Sequence, residues 1–303
     1  MHDLNWPLAR KRQNLEKRAR ILQQVRVFFI ARGLLEVETP CRIPANAPEL
    51  HIDAVESGEA VLHTSPELAM KRLLAAGYPD LFQLTRVWRL GERGSRHLPE
   101  FSLLEWYRRD ADYTSLMADC EALLQHLVPA GELIWRGQAI DLTPPWPRLT
   151  VSEAFCRYAS CSADKALSSG RFDEILTSEV EPRLGPGPVF LTDYPAPLAA
   201  LARLKPGDPT VAERVELYLG GLELANGFSE LADPVEQRTR FMADEAARRA
   251  AGKPPRPLPE AYLRELPALP PCAGIALGID RLIMLLTDAA GIDEVVAFTP
   301  EQL

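Results

Sequence analysis

The stretch from Phe82 to Arg108, FQLTRVWRLGERGSRHLPEFSLLEWYR, constrains this chain more than any other, because it spells two β-strands around a charged loop. From Phe82 to Leu90 the β-favouring residues alternate. A period of two then puts Phe82, Leu84, Arg86 and Trp88 on one face and Gln83, Thr85, Val87 and Arg89 on the other. After the loop, Phe101, Leu103, Glu105 and Tyr107 share a face, with Ser102, Leu104 and Trp106 opposite. Gly91, Gly94 and Pro99 suit a sharp reversal, and Glu92, Arg93, Arg96 and His97 charge it. A face bearing Arg89, Phe101, Glu105 and Tyr107 under such a loop has the groups to hold a base, a phosphate and an ammonium together. The competing reading is an ordinary solvated face of an antiparallel sheet.

That hairpin needs a core, and 303 residues, 47% of them hydrophobic, carry apolar material for one large domain or two small ones. No run of about 18 apolar residues offers a membrane span, and MHDLNWPLARKRQ lacks the apolar segment of a secretory leader, so a soluble cytoplasmic protein with no membrane partner is expected. The net charge of -8 gives no sequence-independent reason to bind nucleic acid, which rests on many Lys and Arg contacts to phosphate; a basic partner would be attracted instead. Cys41, Cys120, Cys156, Cys161 and Cys272 have no metal-ligand spacing, so reduced, mostly buried thiols are expected.

Along the chain, Leu15, Ala19, Leu22, Val25, Phe28 and Phe29 form a helical stripe within a helix from about Leu8 to Arg32, closed by Gly33. A short strand, Leu34 to Pro40, follows. VLHTSPELAMKRLLAAG starts as a strand at Val61 and becomes a helix marked by Ser65 and Pro66, with Glu67 in its first turn. Glu67 either favours the helix dipole or presents a carboxylate to an ammonium group. Residues 112 to 128 read as a helix, 129 to 190 as helices, loops and a small insertion, and Val189 to Pro195 as a strand. Strands at about Val215 to Leu219 and Leu222 to Asn226 join through Gly220 and Gly221, a two-residue turn that matches strand twist. Gly227 is expected to break the second strand and leave Glu230 in a turn. Glu223 faces away from Leu222 and Leu224, and a helix begins near Pro234. Finally CAGIALGIDRLIMLL reads as a small-residue strand, Ala273 to Gly278, then a helix from about Asp280 with Arg281 in its first turn; such a strand admits a ligand close to the backbone.

The common mononucleotide, dinucleotide, zinc-protease and nucleophile-elbow motifs are absent. Three stretches together instead resemble the class II aminoacyl-tRNA synthetases: the Pro40-ended helix and strand, the Arg89 hairpin, and GIALGIDRL with Arg281. HTSPELAMKRLL, HLPEFSLLEWY and GLELANGFSEL look like lysyl-tRNA synthetase, over nearly the whole chain from about Leu15. Only about a dozen residues precede the first of these motifs, where those synthetases carry an anticodon-reading domain. A chain of this pattern is similar to the elongation factor P lysine ligase family. Ser65 and Ala276 stand where the synthetases have alanine and glycine, a bulkier pocket floor that suits a β-amino substrate.

The resemblance implies an α+β fold with an antiparallel sheet flanked by helices, in a single catalytic domain over 1–303 with a variable insertion at about 130–190 and no anticodon-binding domain. It implies a homodimer, no stable tRNA binding, ATP and Mg²⁺ as cofactors, and transfer of β-lysine or lysine to elongation factor P. In the roles carried over, Arg89 holds the substrate carboxylate beside the α-phosphate, Phe101 stacks on adenine, His97 reaches the phosphates, Arg281 sits against adenine and the γ-phosphate, and Glu223 helps hold Mg²⁺. Leu90, Gly91, Glu92, Leu98, Leu224 and Gly278 join the ATP site. Glu67 takes the β-amino group and Glu230 the ε-ammonium, supported by Tyr107, with Ser65, Pro66, Glu105, Asn226 and Ala276 lining the substrate. Two departures stand out: Gly91 replaces the glutamate of an Arg-x-Glu signature, with Glu92 one position along, and Leu98 replaces an asparagine that approaches ATP. A minimal lysine-activating or tRNA-charging enzyme, and an impaired paralogue acting as a regulator, are the alternative functions.

Overall fold

The computed structural model describes residues 6–303, so the start of the N-terminal stretch MHDLNWPLARKRQ lies outside the described residues. The chain divides into two compact units, one of Trp106 and the residues before it with Asp233–Pro270 and Leu277–Leu303, the other of Tyr107–Ala232 with Pro271–Ala276.

The first unit opens with helix α1 (Trp6–Ala31), which ends where Gly33 turns left-handed at φ +80°. Strand β1 is only Leu35–Glu36, shorter than the expected Leu34 to Pro40, and runs parallel to β5 (Leu81–Trp88). Strands β2 (Arg42–Ile43), β3 (Glu56–Ser57) and β4 (Ala60–Leu62) form a small antiparallel sheet. Helix α2 (Glu67–Ala75) starts where Ser65 Oγ accepts the Glu67 N–H at 2.9 Å. The expected hairpin is present as β5 (Leu81–Trp88) and β6 (Glu100–Arg109). Phe29 of α1 packs on Phe82 and Trp106 with ring centroids 5.0 and 5.1 Å apart, which anchors the helix on the hairpin.

In the second unit, helix α3 (Tyr113–Leu127) is capped by Asp112, whose carboxylate accepts from Thr114 N and Ser115 N. The region expected to hold helices and loops also contains a hairpin, β7 (Glu132–Trp135) and β8 (Gln138–Asp141). Its turn is Arg136–Gly137, both with positive φ, so a non-glycine carries a conformation usually signalled by Asn or Gly. Strand β9 (Arg148–Thr150) leads into short helices α4 (Val151–Tyr158), α5 (Ala163–Ser168) and α6 (Phe172–Ile175), packed through Phe155 stacked on Phe172. Strand β10 (Val189–Pro195) runs parallel to β9 and antiparallel to β12 (Asp208–Leu219), which also pairs with β11 (Leu204–Lys205) and β13 (Leu222–Ser229). Gly220 and Gly221, at φ +63° and +71°, make the expected turn.

Strand β13 does not break at Gly227, contrary to the sequence-based expectation. It continues to Ser229, and Glu230 is bridged to Ala202 with its N–H on Cys272 O at 2.9 Å. Glycine is needed at 227 for a different reason: a Cβ there would lie 2.5 Å from Ile275 Cβ. The chain then forms helix α7 (Pro234–Ala250), capped by Asp233, helix α8 (Glu260–Glu265), strand β14 (Cys272–Gly278) and helix α9 (Ile279–Leu286). All five cysteines are free thiols; Cys120 and Cys272 are buried, Cys41 and Cys161 half-buried, and Cys156 exposed, so burial is less general than expected. No described helix is long and apolar enough to cross a membrane.

Candidate active site

In the first unit, the charged loop of the hairpin gathers the expected anion-binding side chains. Arg89 follows β5, its N–H bonded to Pro99 O, and its guanidinium lies 5.1 Å from the centre of the Phe101 ring. Gly91 takes φ +80°, and Glu92, next along, comes within 3.9 Å of Arg89. Glu92 thus brings a carboxylate near Arg89 after a backbone turn that glycine adopts without strain. Arg281, in the first turn of α9, places Nη2 2.5 Å from His97 Nε2. Partial desolvation, then the neighbouring Arg281 charge, push the His97 imidazole below its ordinary pKa, so the neutral ring that can accept from the guanidinium is favoured. Leu90 is exposed, Leu98 buried, and Gly278 caps α9.

The same unit holds a second group at the start of α2. Ser65 Oγ donates to Glu105 Oε1 at 2.6 Å, and Glu105 is buried at 1% exposure. Pro66 is buried beside it. Glu67 accepts from Lys71 Nζ at 2.5 Å, a lysine with a wholly buried side chain. The two open readings of Glu67 are thus joined by a third partner, and a carboxylate has lone pairs left for a further ammonium.

The second unit arranges acids and phenols along strands. Arg214, Glu216 and Tyr218 alternate on β12; Glu216 lies opposite Asn226, and Tyr218 opposite Glu223. Glu223 and Asn226 are three residues apart and would face opposite ways on a regular strand. A register irregularity, Leu217 pairing with Ala225 and Tyr218 with Glu223, brings both onto one face and leaves Leu224 buried on the other. Arg214 donates to Asn226 Oδ1 at 3.1 Å and Glu216 Oε1 at 2.7 Å, and Tyr218 OH donates to Glu216 Oε2 at 2.8 Å. Burial, then the Glu216 charge, drive the Tyr218 phenol far above its ordinary pKa, so it stays a donor. Sequence reasoning missed Arg214 and Glu216, although charged residues at a spacing of two inside an apolar strand were a readable signal.

Tyr107, Glu230 and Gly274 meet elsewhere in this unit. A Cβ on Gly274 would lie 2.1 Å from Tyr107 Cε1 and 2.7 Å from Glu230 Oε1, so the acid and the phenol approach this backbone because it has no side chain. Ala276, two residues on, shares that face of β14. No cluster of three or more His, Cys, Asp or Glu able to hold a metal occurs among the described residues.

The family model for class II tRNA synthetases (D, K and N) matches residues 4–302. The chain is 40% identical to proteins named elongation factor P–(R)-beta-lysine ligase from Klebsiella pneumoniae, Hamiltonella defensa and Salmonella dublin, in each case over 98% of this chain and 98% of the relative.

Proposed function

Because the chain belongs to the class II tRNA synthetase family (D, K and N), and within it to the elongation factor P–(R)-beta-lysine ligases, we propose that it is an ATP-dependent ligase that activates (R)-β-lysine and transfers it to a lysine side chain of elongation factor P. The full-length match to ligases of that name carries this reading. The α+β fold and the cation-rich loop around Arg89 agree with it.

Arg89 binds the substrate carboxylate and the α-phosphate, reducing the repulsion between two anions so that the carboxylate attacks phosphorus in line. Phe101 offers its ring to adenine, and His97 with Arg281 takes the outer phosphates. Leu90, Gly91, Glu92, Leu98 and Gly278 shape the same nucleotide site; Leu224, buried on the strand face away from Glu223 and Asn226, is left out of it. Glu67 receives the β-amino group and Glu230, with Tyr107, the ε-ammonium, while Ser65, Pro66, Glu105, Asn226 and Ala276 are the further residues assigned to the substrate. Pyrophosphate leaves, and the acceptor amine displaces AMP from the acyl-adenylate to form an amide. Catalysis rests on positioning and electrostatics, with no covalent enzyme intermediate.

Mg²⁺ fits the residues present. It prefers one or two carboxylates plus phosphates and water to an all-protein cage, and Glu223 sits on a strand face shared with Glu216 and Asn226. Glu223 would hold it, and the ion would supply charge neutralisation on the phosphates.

The chain works as one catalytic domain with its insertion at about 130–190, a reading supported by one family model that matches both compact units. It acts in the cytoplasm, without stable tRNA binding, as a homodimer, for which the exposed apolar Val27, Ile30 and Leu35 supply a surface to cover. ATP–pyrophosphate exchange tests the reading: (R)-β-lysine should give the highest kcat/KM among (R)-β-lysine, (S)-β-lysine and α-lysine. Preference for α-lysine together with charging of lysine tRNA would overturn it.

A further inference from the structure

The other Arg and Lys of helix α1 are exposed or half-buried, yet Arg18 is only 9% exposed. Its Nη1 donates to Asp280 Oδ1 at 2.5 Å and to Val295 O at 3.2 Å, and its Nη2 donates to Ser102 Oγ at 2.7 Å. The other oxygen of Asp280 accepts the Ser102 backbone N–H at 2.9 Å. Asp280 is 1% exposed and Ser102 7%. Arg18, Asp280 and Ser102 therefore form a closed ring that joins α1, the first turn of α9 and the start of β6.

The neighbours of that ring in the sequence give it meaning. Asp280 immediately precedes Arg281, and Ser102 immediately follows Phe101. Both oxygens of Asp280 are engaged, so the first turn of α9 cannot rotate against β6 without breaking a buried, charge-assisted bond. A buried ion pair adds little net stability, because desolvating both ions offsets their attraction. Fixed geometry is what such a pair supplies. A two-pronged guanidinium is needed for it, since a lysine ammonium is a point charge and cannot hold acceptors on two sides at set angles.

We propose that Arg18 is a positioning residue for the nucleotide: through Asp280 and Ser102 it sets Arg281 and Phe101 against one another from a helix that itself touches no substrate. This rests on the assignment of Arg281 and Phe101 to ATP made above. It also makes α1, which carries the exposed Val27 and Ile30, the element through which a contact on that helix would reach the nucleotide site.

Two variants, Arg18→Lys and Arg18→Met, test it in the full chain. The lysine variant keeps the charge and the folded state, and thermal unfolding checks the latter. In both, the KM for ATP in pyrophosphate exchange should rise by about tenfold or more while the KM for β-lysine stays within about twofold, as expected of a small misplacement of two binding groups. A second readout needs no nucleotide. Arg281 helps to keep the His97 imidazole below its ordinary pKa, so His97, followed by NMR and assigned with a His97→Gln control, should titrate at higher pH in both variants once Arg281 is released. A folded Arg18→Lys protein with an unmoved His97 titration, or with an unchanged KM for ATP, overturns the proposal and leaves Arg18 a merely structural residue. Should the native protein exchange pyrophosphate with no lysine isomer, the function proposed above falls, while the His97 titration still decides whether Arg18 sets Arg281.

Discussion

Two groups of charged side chains differ in how they are held. In the first unit, Arg89, His97 and Arg281 stand on or beside a loop and a helix start, with a guanidinium 2.5 Å from an imidazole and another over an aromatic ring. In the second, Arg214, Glu216 and Tyr218 lie on a buried strand, and each is tied to the next by hydrogen bonds of 2.7 and 2.8 Å. Cations gathered beside a loop suit the phosphates proposed for them above. A closed strand network holds its neighbour Asn226, which accepts from Arg214 at 3.1 Å, in one orientation.

Breaking the first group should give the largest effect. Arg89→Ala removes the group proposed to hold both reacting anions, and kcat/KM for adenylate formation should fall by about 10²–10³ or more. A loss below about tenfold would remove Arg89 from the anion end.

Next in size, Gly274→Ala puts a methyl where Tyr107 Cε1 stands 2.1 Å away. The KM for the lysine isomer should rise by about 10–100-fold with the KM for ATP unmoved, because only the acid and phenol are displaced. Equal rises in both would place Gly274 with the first group. Gly227→Ala is the comparison within the same unit: its Cβ would meet the Ile275 side chain and the Gly274 carbonyl oxygen rather than Tyr107 or Glu230, so it should cost about 1–3 kcal/mol of stability in urea unfolding and change the KM for the lysine isomer less than Gly274→Ala does.

A smaller effect comes from pH. The folded His97 pKa lies below its ordinary value of 6.5, so the neutral ring and its contact with Arg281 prevail above that value and are lost as pH falls through the lowered one. The KM for ATP should climb several-fold on that acid limb, and His97→Asn should flatten it. Smallest of all, Arg171→Ala removes the exposed pair with Glu174, and neither the melting temperature nor the exchange rate should change measurably.

Much of this was legible because its causes are local. The alternation of β5 and β6, the helix starts at about 112 and near Pro234, the Gly33 stop and the Gly220–Gly221 turn each depend on a few adjacent residues. Gly227 was misread because its cause is distant: Ile275 fills the space a side chain would need. The common face of Glu223 and Asn226 depends on a register irregularity that alternation does not show, and the β7–β8 turn on a left-handed arginine. Likewise Lys71 reads as a surface residue of α2, and only the fold shows it buried against Glu67. The site residues were named by resemblance. The tie from Arg18 to Asp280 spans 262 positions and left no pattern in the sequence.

The central claim is a ligation, and the intact mass of elongation factor P tests it most directly. Incubated with this protein, ATP, Mg²⁺ and (R)-β-lysine, the factor should gain one lysyl residue, carried on a lysine side chain and dependent on all three small components. An unchanged mass, with the factor shown to be folded and lysine tRNA charged by the same preparation, would contradict the account.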